Sequence, residues 1–229
     1  KYRLVGSEMC IRDSSLVDNS GQASNYSIAS ASSDITQRPL NLSGSRAYDS
    51  TRTASGSDLS FTNIVSGETL GLTGSGVLDS PAAGSRTIVN TNTLAISDGS
   101  GIATNYTLTN GTLTMTIVPR STTVSGTKTY DGTTNVASSN LTSFSNLAGS
   151  DTLSLSGTGT ISTADVGTGK TVNTSGLTID NSSGVGSNYT LSAATVNVTE
   201  RVIGLSGVRA FDGTNNASST DLSLSLIHI

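Results

Sequence analysis

An aromatic-Asp pair that returns at a fixed long interval constrains this chain more than any other feature. Tyr48-Asp49-Ser50, Tyr130-Asp131-Gly132 and Phe211-Asp212-Gly213 stand in one frame. Tyr48 to Tyr130 is 82 residues, and Tyr130 to Phe211 is 81. Each copy is preceded, at constant offsets, by a glycine (Gly44, Gly126, Gly207) and a cation (Arg46, Lys128, Arg209). A second marker keeps nearly the same interval: Asn25-Tyr26, Asn105-Tyr106 and Asn188-Tyr189. A third lies at Gln37-Arg38-Pro39, Val118-Pro119-Arg120 and Thr199-Glu200-Arg201. Self-similarity at a long fixed period means tandem units, and it must be settled before any local reading.

The markers divide the chain. Residues 15–39 are the end of one truncated unit, 40–119 and 120–201 are complete units, and 202–225 are the start of another. Two of the three prolines fall at the junctions, where a missing N–H is harmless and the chain is stiffened. Almost no linker is left between units. The ends depart from the repeat. Residues 1–14 hold the only Cys, Cys10, and the tail 226–229 holds the only His, His228. Both resemble translated adaptor sequence of the kind carried by fragments assembled from mixed DNA, and are expected to be non-native. A leader peptide is then not to be sought at this start.

Inside a unit the apolar residues alternate, with a period of two rather than 3.6. Thr112-Leu113-Thr114-Met115-Thr116-Ile117 and Thr195-Val196-Asn197-Val198 are the clearest runs. Turn residues interrupt every 8–12 positions or so, the pattern of short strands in a sandwich or barrel. The buried parity is even at Tyr106 and Leu108 but odd at Leu113, Met115 and Ile117. It flips again between Tyr189 and Val196. One extra residue reverses the buried face, so a β-bulge is expected near Asn110-Gly111 and near Ala193-Ala194. The core must be built from small side chains, because hydrophobic residues are 34% and aromatics 4% of the chain, with no Trp.

Composition also narrows function. A net charge of −4 with scattered cations offers no basic stripe to neutralise phosphates, so nucleic acid is not an expected partner. No apolar run is long enough to span a membrane as a helix. A single Cys leaves no disulfide framework or thiol metal site. Ala164-Asp165-Val166-Gly167-Thr168-Gly169-Lys170-Thr171 fits a loose phosphate-loop pattern. That mechanism needs a helix after the loop, and Val172-Asn173-Thr174-Ser175-Gly176 is not one, so a turn between strands is expected. Nucleophilic catalysis lacks a base, since His228 is alone. Asp49, Asp131 and Asp212 supply one carboxylate per unit, a poor calcium site. No catalytic, cofactor-binding or metal-binding residue is assigned, and no enzyme activity is expected.

The aromatic-Asp element has its own physical reading. The ring ends a strand on the core, the Asp bonds turn N–H groups, and the Gly supplies a positive φ. Ser50 implies that positive φ is not required in every unit. Phe211 implies that the hydroxyl is dispensable. The cation shares the ring's parity, so its stem is expected along the ring with its charge in water. A structural corner is preferred over a ligand site.

Taken together, Gly-x-[Arg/Lys]-x-Tyr-Asp-Gly-Thr-Thr, Ala-Asp-Val-Gly-Thr-Gly-Lys-Thr-Val and Ser-Asn-Tyr-Thr-Leu resemble the YDG repeat of large bacterial exoproteins of the filamentous haemagglutinin type. The resemblance covers about residues 15–223 and is best over 120–201. Residues 40–119 depart from it at Ser50 and at Pro81-Ala82-Ala83-Gly84-Ser85-Arg86. It implies secretion from a Gram-negative cell and display within an adhesin, and it brings no catalytic residues. The expected fold is all-β, a row of small Ig-like β-sandwich domains set end to end, with a parallel β-helix as the alternative. A unit of about 80 residues buries only about 60–65% of its unfolded surface, so contacts between neighbouring repeats should matter. The expected function is a structural stalk. The alternative is weak host-glycan or host-protein binding by each unit, strengthened by avidity.

Overall fold

The computed structural model describes residues 19–27 and 34–224. The segments 1–14 and 226–229, with Cys10 and His228, lie outside the described residues. Every regular element described is a strand or a three-residue 3₁₀ turn.

The first unit contains β1 (Arg38–Pro39), β2 (Leu42–Ala47), β3 (Thr53–Ser55), β4 (Leu59–Phe61), β5 (Leu70–Thr73), β6 (Ser75–Leu78), β7 (Gly84–Asn90), β8 (Ala95–Asp98), β9 (Tyr106–Thr107) and β10 (Thr114–Val118). The second contains β11 (Arg120–Thr129), β12 (Asn135–Ala137), β13 (Leu141–Ser145), β14 (Leu153–Thr160), β15 (Gly167–Val172), β16 (Leu177–Asn181) and β17 (Tyr189–Thr199). β11, β14 and β17 are continuous where the first unit has the interrupted pairs β1/β2, β5/β6 and β9/β10. β18 (Leu205–Ser206) and β19 (Ser223–Leu224) pair after the second unit.

The second unit has two sheets, in the orders β13-β11-β17-β15 and β12-β14-β16. A bridge between Thr160 and Asn173 joins them along one edge. In the first unit that edge is a short strand pair, β6 with β7, and a six-stranded sheet β3-β6-β7-β10-β2-β4 curls round, with β5-β8 beside it. Both sheets feed one buried cluster. In the second unit it is Val124, Val136, Leu141, Ile161, Val172, Ala194, Val196 and Val198. The arrangement is β-sandwich-like, with a core of small side chains.

First and last strands pair in parallel. β11 runs beside β17 from Arg120↔Tyr189 to Thr129↔Thr199, and β2 runs beside β10. The other pairings within the units are antiparallel apart from the short β1/β9 pair. A parallel β-helix would instead pair each strand with its equivalent one coil later. The observed order also differs from the A-B-E-D and C-F-G sheets of an immunoglobulin constant domain.

The parity flip in β17 has the expected cause. Thr122 faces Leu191 and Thr123 faces Ala193, so Ser192 is the extra residue of a bulge. In the first unit the extra length is a turn: Asn110 takes φ 62°, and the Gly111 N–H donates to the Leu108 carbonyl at 3.3 Å.

Gly44, Gly126 and Gly207 have a packing reason that composition did not show. Each lies against the backbone of a turn that follows the corner, a 3₁₀ turn in the two complete units. A Cβ there would stand 1.9 Å from the Asp58 carbonyl oxygen, 1.7 Å from that of Asn140 and 1.8 Å from that of Asp221, respectively. Gly126→Ala is therefore expected to destabilise the second unit by about 1–3 kcal/mol, the usual scale of overpacking. Urea unfolding of the full chain should show a lower midpoint for that transition.

Candidate functional site: the aromatic-Asp corner and the junction between units

β2 and β11 each deliver an aromatic residue, Tyr48 and Tyr130, to the downstream end of their unit. There the backbone bonds the end of the last strand. Tyr48 N–H donates to the Val118 carbonyl, and Tyr130 N–H to that of Thr199, each at 2.9 Å. The Asp that follows closes the turn. Asp131 Oδ1 accepts the Thr133 N–H and its hydroxyl, both at 2.9 Å. Asp49 does the same with Thr51, and Asp212 with Thr214.

The residue after the Asp is left-handed in all three copies: Ser50 has φ 66°, Gly132 79° and Gly213 84°. Positive φ is thus a requirement of the turn, contrary to the reading from Ser50. The serine tolerates it while its hydroxyl donates to the Asp49 carbonyl at 2.6 Å.

The cation is also placed differently from expectation. The Lys128 side chain is only 5% exposed. Its Nζ donates to the carbonyls of Thr133 and Asn135 and lies 2.9 Å from Asp131 Oδ1. Arg46 and Arg209 pair with Asp49 and Asp212 in the same way. Arg46 also donates to the carbonyls of Thr51 and Thr53. The charge clamps the turn instead of standing in water, because the turn turns its carbonyls inward and they need donors. The Lys128 ammonium, with the Thr133 donors, holds the Asp131 carboxyl down to about 2.

A second cation repeats the device at the other downstream loop. Lys170 Nζ donates to the carbonyls of Thr163 and Asp165. Arg86 does the same to Ala82 and Ala83. Of the phosphate-loop-like segment only residues 164–166 are the expected loop; Gly167 to Thr171 belong to β15 itself, its lysine is engaged by backbone carbonyls, and no helix follows.

Tyr48 does not simply finish its own core. Its ring meets Tyr189 of the next unit edge to face, with centroids 5.4 Å apart and planes at 76°. Both hydroxyls donate to one oxygen, Asp151 Oδ2, Tyr189 at 2.6 Å and Tyr48 at 3.1 Å. The Ala148 N–H donates to the Tyr189 hydroxyl at 3.0 Å. Asn188, 4% exposed, accepts the Ala83 N–H at 2.8 Å. Arg120 reaches back to the Tyr48 carbonyl at 3.3 Å. The two conspicuous markers, aromatic-Asp and Asn-Tyr, thus meet across the junction. The Tyr48 hydroxyl is used, against the expectation drawn from Phe211. Burial, then the bond to Asp151, pushes Tyr189 up to about 12, and the same causes raise Tyr48.

The remaining marker residues lie outside this contact. Tyr130 is half-buried and Phe211 is 89% exposed. Tyr106 is buried and its hydroxyl donates to Glu68, while Asn105 is exposed. The sequence reading missed Asp151 and Glu68. Each stands 38 residues before its Asn-Tyr tyrosine, a constant offset that could have exposed them. Among the described residues no group of three or more His, Cys, Asp or Glu is placed to hold a metal ion, and no helix is long and apolar enough to cross a membrane.

The family model described as the YDG domain matches residues 36–115 and 112–197. No curated protein and no solved structure matches the chain.

The clamp has a pH signature. A folded-state value of about 2 for Asp131, against about 3.9 unfolded, gives stability that is present above the unfolded value. It is lost as pH falls through the folded one. NMR titration should place the Asp131 midpoint near 2, and Lys128→Met should return it toward about 3.9. The junction responds at the other extreme. Tyr189 lies above its ordinary value of 10, so its contribution is intact below pH 10 and is lost as pH rises through about 12. Tyrosinate absorbance, compared with Tyr189→Phe, should show that midpoint. Asp151→Asn should lower it without bringing it to 10, because burial remains.

Proposed function

Because the chain belongs to the YDG domain family, we propose that it is a structural stalk segment of a secreted bacterial surface adhesin, displayed outside a Gram-negative cell and without catalysis. In this reading each repeat is a small two-sheet sandwich with its own strand order, and the row of repeats holds a binding region away from the cell.

The observation that carries the reading is the junction. Only Pro119 separates β10 from β11, and the facing ends are joined by a ring contact, a shared carboxylate and a hydrogen bond from the Ala83 N–H to the Asn188 side chain. A spacer needs this restriction, since a flexible linker would let the units fold back on one another. The edge-to-face pair contributes about 0.5–1.5 kcal/mol beyond its buried area. That is small for a domain but enough to bias orientation where no linker gives freedom.

Small-angle X-ray scattering of the full chain should give a narrow distance distribution for the two units. Tyr48→Ala combined with Asp151→Ala should broaden it while each unit stays folded. Equal breadth in both proteins would count against a stiff spacer. Saturable binding to a glycan array or to host-cell extract, lost on changing one exposed patch, would replace the stalk by the adhesive-module reading.

A further inference from the structure

The surface with which the second unit receives Tyr48 is present again on the first unit. On the second unit it consists of Arg120, Asn146, Ala148, Asp151, Asn188 and Tyr189. The same chemistry recurs at Arg38, Asn63, Val65, Glu68, Asn105 and Tyr106. The internal bonds match. Arg38 Nε donates to the Asn63 carbonyl at 2.9 Å as Arg120 Nε does to that of Asn146 at 2.8 Å. Asn63 Nδ2 donates to the Pro39 carbonyl at 3.0 Å as Asn146 Nδ2 does to that of Ser121 at 2.7 Å. Tyr106 donates to Glu68 as Tyr189 donates to Asp151.

The difference is cover. Ala148 is 3% exposed and Asn188 4%, while their counterparts Val65, at 44%, and Asn105 stand open. An exposed apolar residue and an exposed amide are therefore set in bonding order beside a buried tyrosine paired with a half-buried carboxylate. Tyr106 is already buried, so the groups left to meet a partner are Val65, Glu68 and Asn105.

We propose that this end face of the first unit is a docking site for the aromatic-Asp corner of another unit of the same kind, fused directly ahead of Arg38. The incoming ring packs over Val65, as Tyr48 covers the Ala148 end of the second unit. Its hydroxyl donates to Glu68, and Asn105 caps an N–H of the incoming second loop, as Asn188 does for Ala83. This goes beyond a spacer role because it assigns a specific ligand to a specific face. A tyrosine corner is held more tightly than a phenylalanine corner such as Phe211, which has no hydroxyl for the carboxylate.

The existing junction supplies a ruler for the test. A Cβ at position 149 would lie 3.9 Å from the Ser50 Cβ, within disulfide reach. In a Cys10→Ser background, Ser50→Cys with Gly149→Cys serves as the positive control. The test protein is the full chain with a duplicate of residues 38–119 inserted between Gln37 and Arg38. It carries Ser50→Cys in the inserted copy and Ser66→Cys in the original unit. Cross-linking is expected. Phenylalanine in place of the inserted copy's tyrosine should reduce it about fivefold, the worth of one hydrogen bond. Tyrosinate titration of the same insertion without cysteines gives a readout free of disulfide strain, with Tyr106 ionising at higher pH than in the original chain. Absence of the cross-link where the control forms, or an unmoved Tyr106 titration, would overturn the proposal. Neither result bears on whether the row acts as a stalk, which scattering reads separately.

Discussion

The parallel pairing of first and last strands sets the terms for everything else in this chain. Because β11 and β17 run in the same direction over their whole length, the polypeptide leaves a unit at the end opposite to its entry. An antiparallel pair would bring entry and exit to one end and require a linker to reach the next unit. Here Pro119 suffices. The same pairing fixes where the corner falls. Tyr48 follows β2, beside the exit of β10, and so stands where the next unit must begin. The corner could not serve the junction from any other point of this topology.

A core this thin makes polar organisation of the unit's ends matter more than usual. The second unit's buried cluster is Val, Leu, Ile and Ala without a fully buried ring. Short turns at the downstream end point several carbonyls inward, and buried carbonyls without donors are costly. One cation satisfies several at once: Lys128 at the corner and Lys170 at the neighbouring loop, with Arg46 and Arg86 in the first unit. The desolvation of each cation is offset because its acceptors are fixed by the turn it closes. At the corner a half-exposed carboxylate completes the shell without burying a second charge.

The parts of this structure that could be read from sequence are those whose causes are local or periodic. The 82-residue interval, the alternation in β10 and β17 and the flip that becomes the Ser192 bulge are all in that class. The Asp turn was legible for the same reason, since it bonds only two residues ahead. The misread features depend on groups distant in sequence or on backbone shape. Ser50 was read as relaxing the turn, yet the closing bonds of Asp49 hold it at positive φ. Gly126 is fixed by the Asn140 carbonyl, which no composition count reveals. Phe211 suggested a dispensable hydroxyl, but it is exposed and has no junction to make among the described residues. The Tyr48 hydroxyl, which does have one, bonds a carboxylate 103 residues away.

The junction is directional, and that decides what repetition does. Its two halves are different surfaces: a corner with a phenol on one side, and a tyrosine–carboxylate pair with an amide on the other. Such a contact is heterologous, and a heterologous contact repeated without closing makes an open row instead of a ring or a symmetric pair. Since the chain itself already runs from one unit to the next, the contact does not need to supply affinity. It needs only to choose among orientations, and an edge-on ring with two hydroxyls sharing one oxygen chooses sharply at small energetic cost. In the proposed row, extension would depend on the number of units, and stiffness on the residue at each corner and the acid that receives it.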